Sequence, residues 1–147
     1  VYYGSARQPG FKADSKYADI ADIYASGDMG RTLRRCEEAL ATDPTNLSLL
    51  FKAFAASTLS TDEASKAKAE SSRSRINGIC DAIFASGTGV TESSPYIVIR
   101  PSDIEEFIIK YLQPTSVTGR ARIGAQDAVK VTFEGVPDEV ILYFGQF

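Results

Sequence analysis

The chain has 147 residues, 44% of them hydrophobic, and sets 16 Lys and Arg against 19 Asp and Glu for a formal net charge of −3. That length fits one compact domain with a real core, and mild, interspersed charge gives no basic footprint for nucleic acid and no polybasic membrane patch. Histidine is absent, so Ser-His-Asp and Cys-His catalysis are excluded, and a metal site would have to be built from carboxylates.

Val1 to Ser15 carries Tyr2, Tyr3, Gly4, Pro9 and Phe11. It reads as an aromatic-rich extended arm that packs on the rest of the chain, because aromatic area is costly to leave in water. A start at Val1 rather than Met leads us to expect that an upstream segment, with a secretory signal in it, has been removed. From Lys16 to Ser26, the residues Tyr17, Ile20, Ala21 and Tyr24 fall at the spacing of one helical face. Gly27 stops that helix and Asp28 caps the next, whose Leu33, Cys36 and Leu40 form a stripe beneath Arg34, Arg35, Glu37 and Glu38. The run from Gly27-Asp28 to Asp43-Pro44 has the spacing of a tetratricopeptide-type helical hairpin, a scaffold motif that carries no chemistry.

A second hairpin begins with Thr45 or Asn46 as cap and puts Leu47, Leu50, Phe51, Phe54 and Ala55 on one face. Ser60 and Glu63 have capping-box spacing, which predicts a helix from near Asp62 towards Ala85. Its first half, with only alanines among Lys66, Lys68, Arg73 and Arg75, is expected to project into solvent, while Ile76, Ile79, Cys80, Ile83 and Phe84 bury the second half. Cys36 and Cys80 lie on apolar stripes and read as buried thiols; a single disulfide between them in an oxidising compartment is the alternative.

After the Gly/Ser/Thr-rich stretch Ser86 to Ser94 the period changes. Pro95 to Arg100 is a short β-rich run, and Ser102 with Glu105 reads as a capping box for a helix through Phe107, Ile108, Tyr111 and Leu112. Ser116 to Ile123, Ala128 to Glu134 and Glu139 to Phe144 then read as a meander. The last of these is apolar on both faces, which places it inside the sheet. No apolar run approaches the roughly 20 residues of a membrane span.

No P-loop or dinucleotide fingerprint occurs, and no cofactor is expected. Asp103, Glu105 and Glu106 form the densest acidic cluster; capping and solvation of a helix start account for it, with a hard cation or paired-carboxylate chemistry as the rival. Arg120, Arg122 and Lys130 are predicted to share the outer sheet face as a small basic patch beside Glu134, either solvated or meeting an acidic ligand. Tyr2, Tyr3, Phe11, Tyr17 and Tyr24 read as core, or as the lining of a concave peptide groove.

The order of these elements, from Tyr2-Tyr3-Gly4 through the Gly27-Asp28 to Asp43-Pro44-Thr45-Asn46 pair, Tyr96 to Ile99 and Phe107 to Leu112 to the closing Leu142-Tyr143-Phe144, resembles a domain-of-unknown-function family of secreted proteins from gut anaerobes. The resemblance spans nearly the whole chain. It implies a secreted, periplasmic or envelope location and supplies no catalytic residue. The expectation is therefore a single α+β domain over 1–147, with a repeat-like helical part at 16–86 and a strand-helix-meander part at 95–147. Its expected role is a non-catalytic protein or peptide interaction module, and a small carboxylate-dependent enzyme or small-ligand-binding protein is the alternative.

Overall fold

A computed structural model describes residues 1–147 as an α+β fold in which helices cover one face of a four-stranded sheet. The helices are α1 (Tyr2–Ser5), α2 (Ala18–Ala25), α3 (Met29–Thr42), α4 (Leu47–Thr58), α5 (Glu63–Ala85) and α6 (Pro101–Glu106), the last continuing as a π-helical segment, Phe107–Leu112. Local chemistry fixes three of the starts. Asp28 accepts from Arg31 N at 3.1 Å, Asn46 from Leu49 N at 3.3 Å and Asp62 from Ser65 N at 2.8 Å, each cap contributing about 1 kcal/mol. Gly27, at φ +86°, makes the left-handed exit from α2 that a side chain would resist.

Four local expectations are corrected. The opening segment is not an extended arm: Tyr2–Ser5 forms a helical turn whose Tyr2 is buried. Asp62 rather than Ser60 caps α5, and the Ser60 hydroxyl donates to the Asp62 carboxylate instead. Ser102 does not cap α6. Pro101 takes the first helical position, which makes Arg100 the N-cap, because a proline lacks the N–H that is left over there anyway. The first half of α5 does not project freely, since Ala69 and Ser72 are buried where α5 runs along α4, and Lys68 pairs with Glu37 of α3 at 3.0 Å.

The strands β1 (Tyr96–Val98), β2 (Ser116–Ile123), β3 (Gln126–Thr132) and β4 (Val140–Gln146) lie in the order β1-β4-β3-β2. The apolar β4 is inside the sheet, antiparallel to β3 and parallel to β1. Tyr96, Val98, Val129, Val131, Leu142 and Phe144 meet Leu47, Leu50, Ile76, Ile79, Cys80 and Ile83 in one core, so the helical and sheet parts share it. A smaller cluster, including Ile20, Cys36 and Leu49, joins α2, α3 and α4. At about 25 cal/mol per Å² of apolar area buried, the shared core is the main stabilising term.

Candidate functional site

The largest fully buried side chain is a charged one. Arg100, 1% exposed, stands two residues past the end of β1, and the turn into α6 aims its guanidinium at the junction between α3 and α4. Its Nη1 donates to the Thr45 carbonyl at 2.7 Å and to Asp103 Oδ2 at 3.2 Å, and its Nη2 donates to Asp43 Oδ1 at 2.7 Å. The guanidinium carbon lies 5.3 Å from the centre of the Phe11 ring, a favourable cation–π arrangement. Asp43 also accepts from Asn46 Nδ2 at 3.0 Å and from the Tyr17 hydroxyl at 3.1 Å. Asp103 accepts from the Tyr2 hydroxyl at 2.7 Å and from Leu47 N at 3.4 Å.

Two carboxylates thus share one guanidinium inside the protein. Burial pushes the Asp103 carboxyl up to about 6, against the pull of Arg100 and its hydrogen-bond donors. Burial, reinforced by Asp103, also pushes the Tyr2 phenol far above its ordinary value. A cluster with so many partners and no exposure at Asp103 holds the fold in register but offers no open face to a substrate.

Beside it lies a cleft of about 490 Å³. Its walls come from Val1 and α1 (Tyr2, Ser5), the α3–α4 junction (Pro44, Thr45) and α5 (Arg75, Gly78, Ile79, Ala82). Tyr2 belongs to both features, its hydroxyl committed to the cluster and its ring to the cleft wall. Thr45 is divided likewise. Its carbonyl holds Arg100, whereas its Oγ1, on a residue 4% exposed, is buried with no hydrogen-bond partner. Such a group normally finds one, and leaving it unsatisfied costs about 1–3 kcal/mol. Lys68 and Arg73 on the same helix pair with Glu37 and Glu70, but Arg75 stands in no ion pair.

Asp103, Glu105 and Glu106 separate in space. Asp103 enters the buried cluster, Glu105 pairs with Arg120, and Glu106 Oε2 lies 2.9 Å from Lys110 Nζ, a charge contact one helical turn on. No group of three or more Cys, Asp and Glu side chains gathers to hold a metal ion. No helix is long and apolar enough to cross a membrane.

The shared face expected for Arg120, Arg122 and Lys130 is corrected by a bulge in β2. Val117 pairs with Val131 and Gly119 with Lys130, which leaves Thr118 as an extra residue. One extra residue reverses which side every later side chain takes. Arg120 and Arg122 therefore lie opposite Val129 and Asp127, on the helix-covered side, while Lys130 lies opposite Gly119 and Ile141 on the other. The two arginines emerge at the rim of that side, in a second groove of about 390 Å³ against α6. Arg122 pairs with Asp127 at 3.0 Å, and Lys130 with Glu139 at 3.7 Å, so each of the three cations has an acidic neighbour.

The N-terminal aromatics do not line one groove. Tyr2 and Tyr17 serve the charge cluster, Phe11 lies under Arg100, the Tyr3 hydroxyl donates to the Ile97 carbonyl at 2.8 Å, and Tyr24 is 38% exposed on α2. Cys36 and Cys80 are free and buried, one in each core cluster. The residues missed by sequence reasoning are Arg100 and Asp43. Only Arg100 left a trace, as a lone cation closing the apolar run Tyr96 to Ile99.

Comparison with protein-family models, with curated proteins and with solved structures finds no match to this chain.

Proposed function

We propose that this chain is a non-catalytic interaction module that docks a protein or peptide partner, and that it works at the cell envelope. The observation that carries the reading is the α1–α5 cleft itself, which gathers residues from three segments of the chain, the Arg75 cation among them, and no acidic side chain. The cleft volume of about 490 Å³ falls within the range of preformed binding sites. The envelope location rests on the family resemblance alone.

A carboxylate enzyme is the second reading. Asp103 recommends it, because a carboxyl near 6 suits acid–base work. Against it, that carboxyl is 0% exposed and both its oxygens are engaged.

The test is photo-crosslinking in the native cell envelope from two positions of the full chain, Ala82 in the cleft and Ile141 on the opposite sheet face. A single partner joined through Ala82 and displaced by excess unmodified protein is the expected result. The module reading fails if neither position yields an adduct that unmodified protein displaces.

A further inference from the structure

We infer that the free edge of β2 takes an extended segment of a partner protein as an added strand, one that alternates acidic residues on the α6 side with apolar residues on the other. This edge is separate from the α1–α5 cleft, so the inference stands or falls apart from the reading above.

The two ends of the sheet differ in how their backbone is satisfied. At the β1 end, side chains close the groups that point away from β4. The Ile97 N–H donates to Ser86 Oγ at 2.8 Å, the Ile97 carbonyl accepts from the Tyr3 hydroxyl at 2.8 Å, and the Ile99 N–H donates to the Tyr2 hydroxyl at 3.0 Å. β2 forms the opposite end, and no backbone group of Ser116 to Ile123 bonds to a side chain or to any segment but β3. Alternate N–H and C=O groups along it therefore face outward, open to another strand.

Sheet edges are commonly blunted by brevity, lysine, proline or a bulge. β1 has three residues, whereas β2 has eight and contains neither lysine nor proline. Its bulge lies near the start, at Thr118, and from Gly119 opposite Lys130 to Ile123 opposite Gln126 the register is unbroken. That regular stretch has the length of an ordinary strand.

Charge selects the occupant. Ser116 to Ile123 holds two arginines and no acid. Arg120 and Arg122 share the α6 side, with side chains 51% and 60% exposed, while Gly119, Ala121 and Ile123 share the other. Each arginine commits one nitrogen to an acid, Nη2 to Glu105 and Nη1 to Asp127, which leaves most of each guanidinium's N–H donors unused. Exposed pairs of this kind are slight in energy. Both acids also lie inboard, Glu105 on α6 and Asp127 on β3. A strand added outside β2 would run about 5 Å from β2 and about 10 Å from β3, so the arginines are the charges it meets first. Carboxylates at alternate positions match them, and apolar side chains match Gly119, Ala121 and Ile123. A second copy of this chain does not fit. Pairing Gly119 to Ile123 with itself about a two-fold axis sets arginine opposite arginine, and like charges directly opposite repel.

The test is fluorescence anisotropy of the labelled, end-blocked peptide Thr-Val-Glu-Val-Glu-Val-Thr during titration with the full chain, against the same peptide with lysine in place of both glutamates. The expected result is saturable binding of the glutamate peptide and binding of the lysine peptide weaker by about ten-fold or more, since attractive cross-strand pairs become repulsive ones. Arg120→Gln combined with Arg122→Gln should remove that preference and leave the melting temperature near the parent's, both side chains being exposed. At saturation, amide hydrogen exchange should slow at alternate residues between Gly119 and Ile123, which strand pairing causes and charge attraction alone does not. No binding of the glutamate peptide, equal binding of both peptides, β2 amides that do not slow, or a dimer of the free chain with protected β2 amides would overturn the inference. A partner crosslinked through Ala82 would keep the module reading in place under any of these outcomes.

Discussion

The hydroxyl of Tyr2 donates to Asp103 Oδ2 at 2.7 Å, across 101 residues of chain. The Tyr2 hydroxyl oxygen also accepts the N–H of Ile99 at 3.0 Å, so one phenol ties the first helical turn to the end of β1 and to α6. Arg100 performs the matching task from the other side, holding the α3–α4 junction through Asp43 and the Thr45 carbonyl. Segments far apart in sequence thus meet at one buried cluster, and that cluster sets the cleft wall through Tyr2 and Thr45. Arg100 meets its acceptors through Nη1 and Nη2 while its buried Nε has none, and desolvation offsets much of what such pairs gain, so the arrangement favours one packing over its neighbours more than it adds stability.

Tyr2→Phe removes a donor from a buried carboxylate and an acceptor from the buried Ile99 N–H while keeping the ring. Urea denaturation should show a loss of about 1–3 kcal/mol. Parental stability would mean that Tyr2 contributes through its ring alone.

Arg100 is held by its fork as well as by its charge. Arg100→Met leaves Asp43 and Asp103 buried without their cation, and about 3–5 kcal/mol should be lost. Arg100→Lys should recover only part of this, since an ammonium cannot span the three acceptors that the guanidinium reaches. Full recovery by lysine would contradict the geometry.

Acid should stabilise this protein over a defined window. Asp103 binds its proton more readily folded, at about 6, than unfolded, at 3.8. Stability therefore rises as pH falls through about 6, by on the order of 3 kcal/mol, and the gain is complete below the unfolded value. The exposed cap Asp62 works the other way: its hydrogen bonds hold it down to about 2, so its contribution is lost as pH falls from about 4 towards that value. The melting temperature should thus climb from pH 7 to about 4 and then drop. Asp103→Asn should flatten the climb, and an unchanged slope in that variant would assign it elsewhere.

Local signals carried much of the helical half. Asp28 and Asn46 act as caps because capping needs only the next turn of chain, and β4 lies inside the sheet as its apolar residues require. The bulge at Thr118 was not legible, because register is a property of two strands, and it moved Arg120 and Arg122 away from Lys130. Asp43 read only as part of the hairpin motif ending in Pro44, and Asp103 as a first-turn solvated acid; their pairing inside the protein depends on Arg100 arriving from the sheet half. Thr45 read as a candidate helix cap; that Asn46 takes the cap and the Thr45 hydroxyl is left without a partner is set by what surrounds it in space.

The thiols should be inert until the fold opens. Burial holds Cys36 up to about 11 and Cys80 up to about 12, so neither is appreciably thiolate at neutral pH. A thiol-specific disulfide reagent should react slowly with the native protein and take up two equivalents promptly in denaturant, matching the two cysteines. Uptake of none in denaturant without reductant would mean that they are bonded to each other.

The measurement that bears most directly on the docking site is photo-crosslinking in the native cell envelope from Ala82 of the full chain, in the cleft between α1 and α5. One partner, displaced by excess unmodified protein, is the expected result. Displaceable adducts from Ile141 on the opposite sheet face alone, or none from either position, would contradict the account.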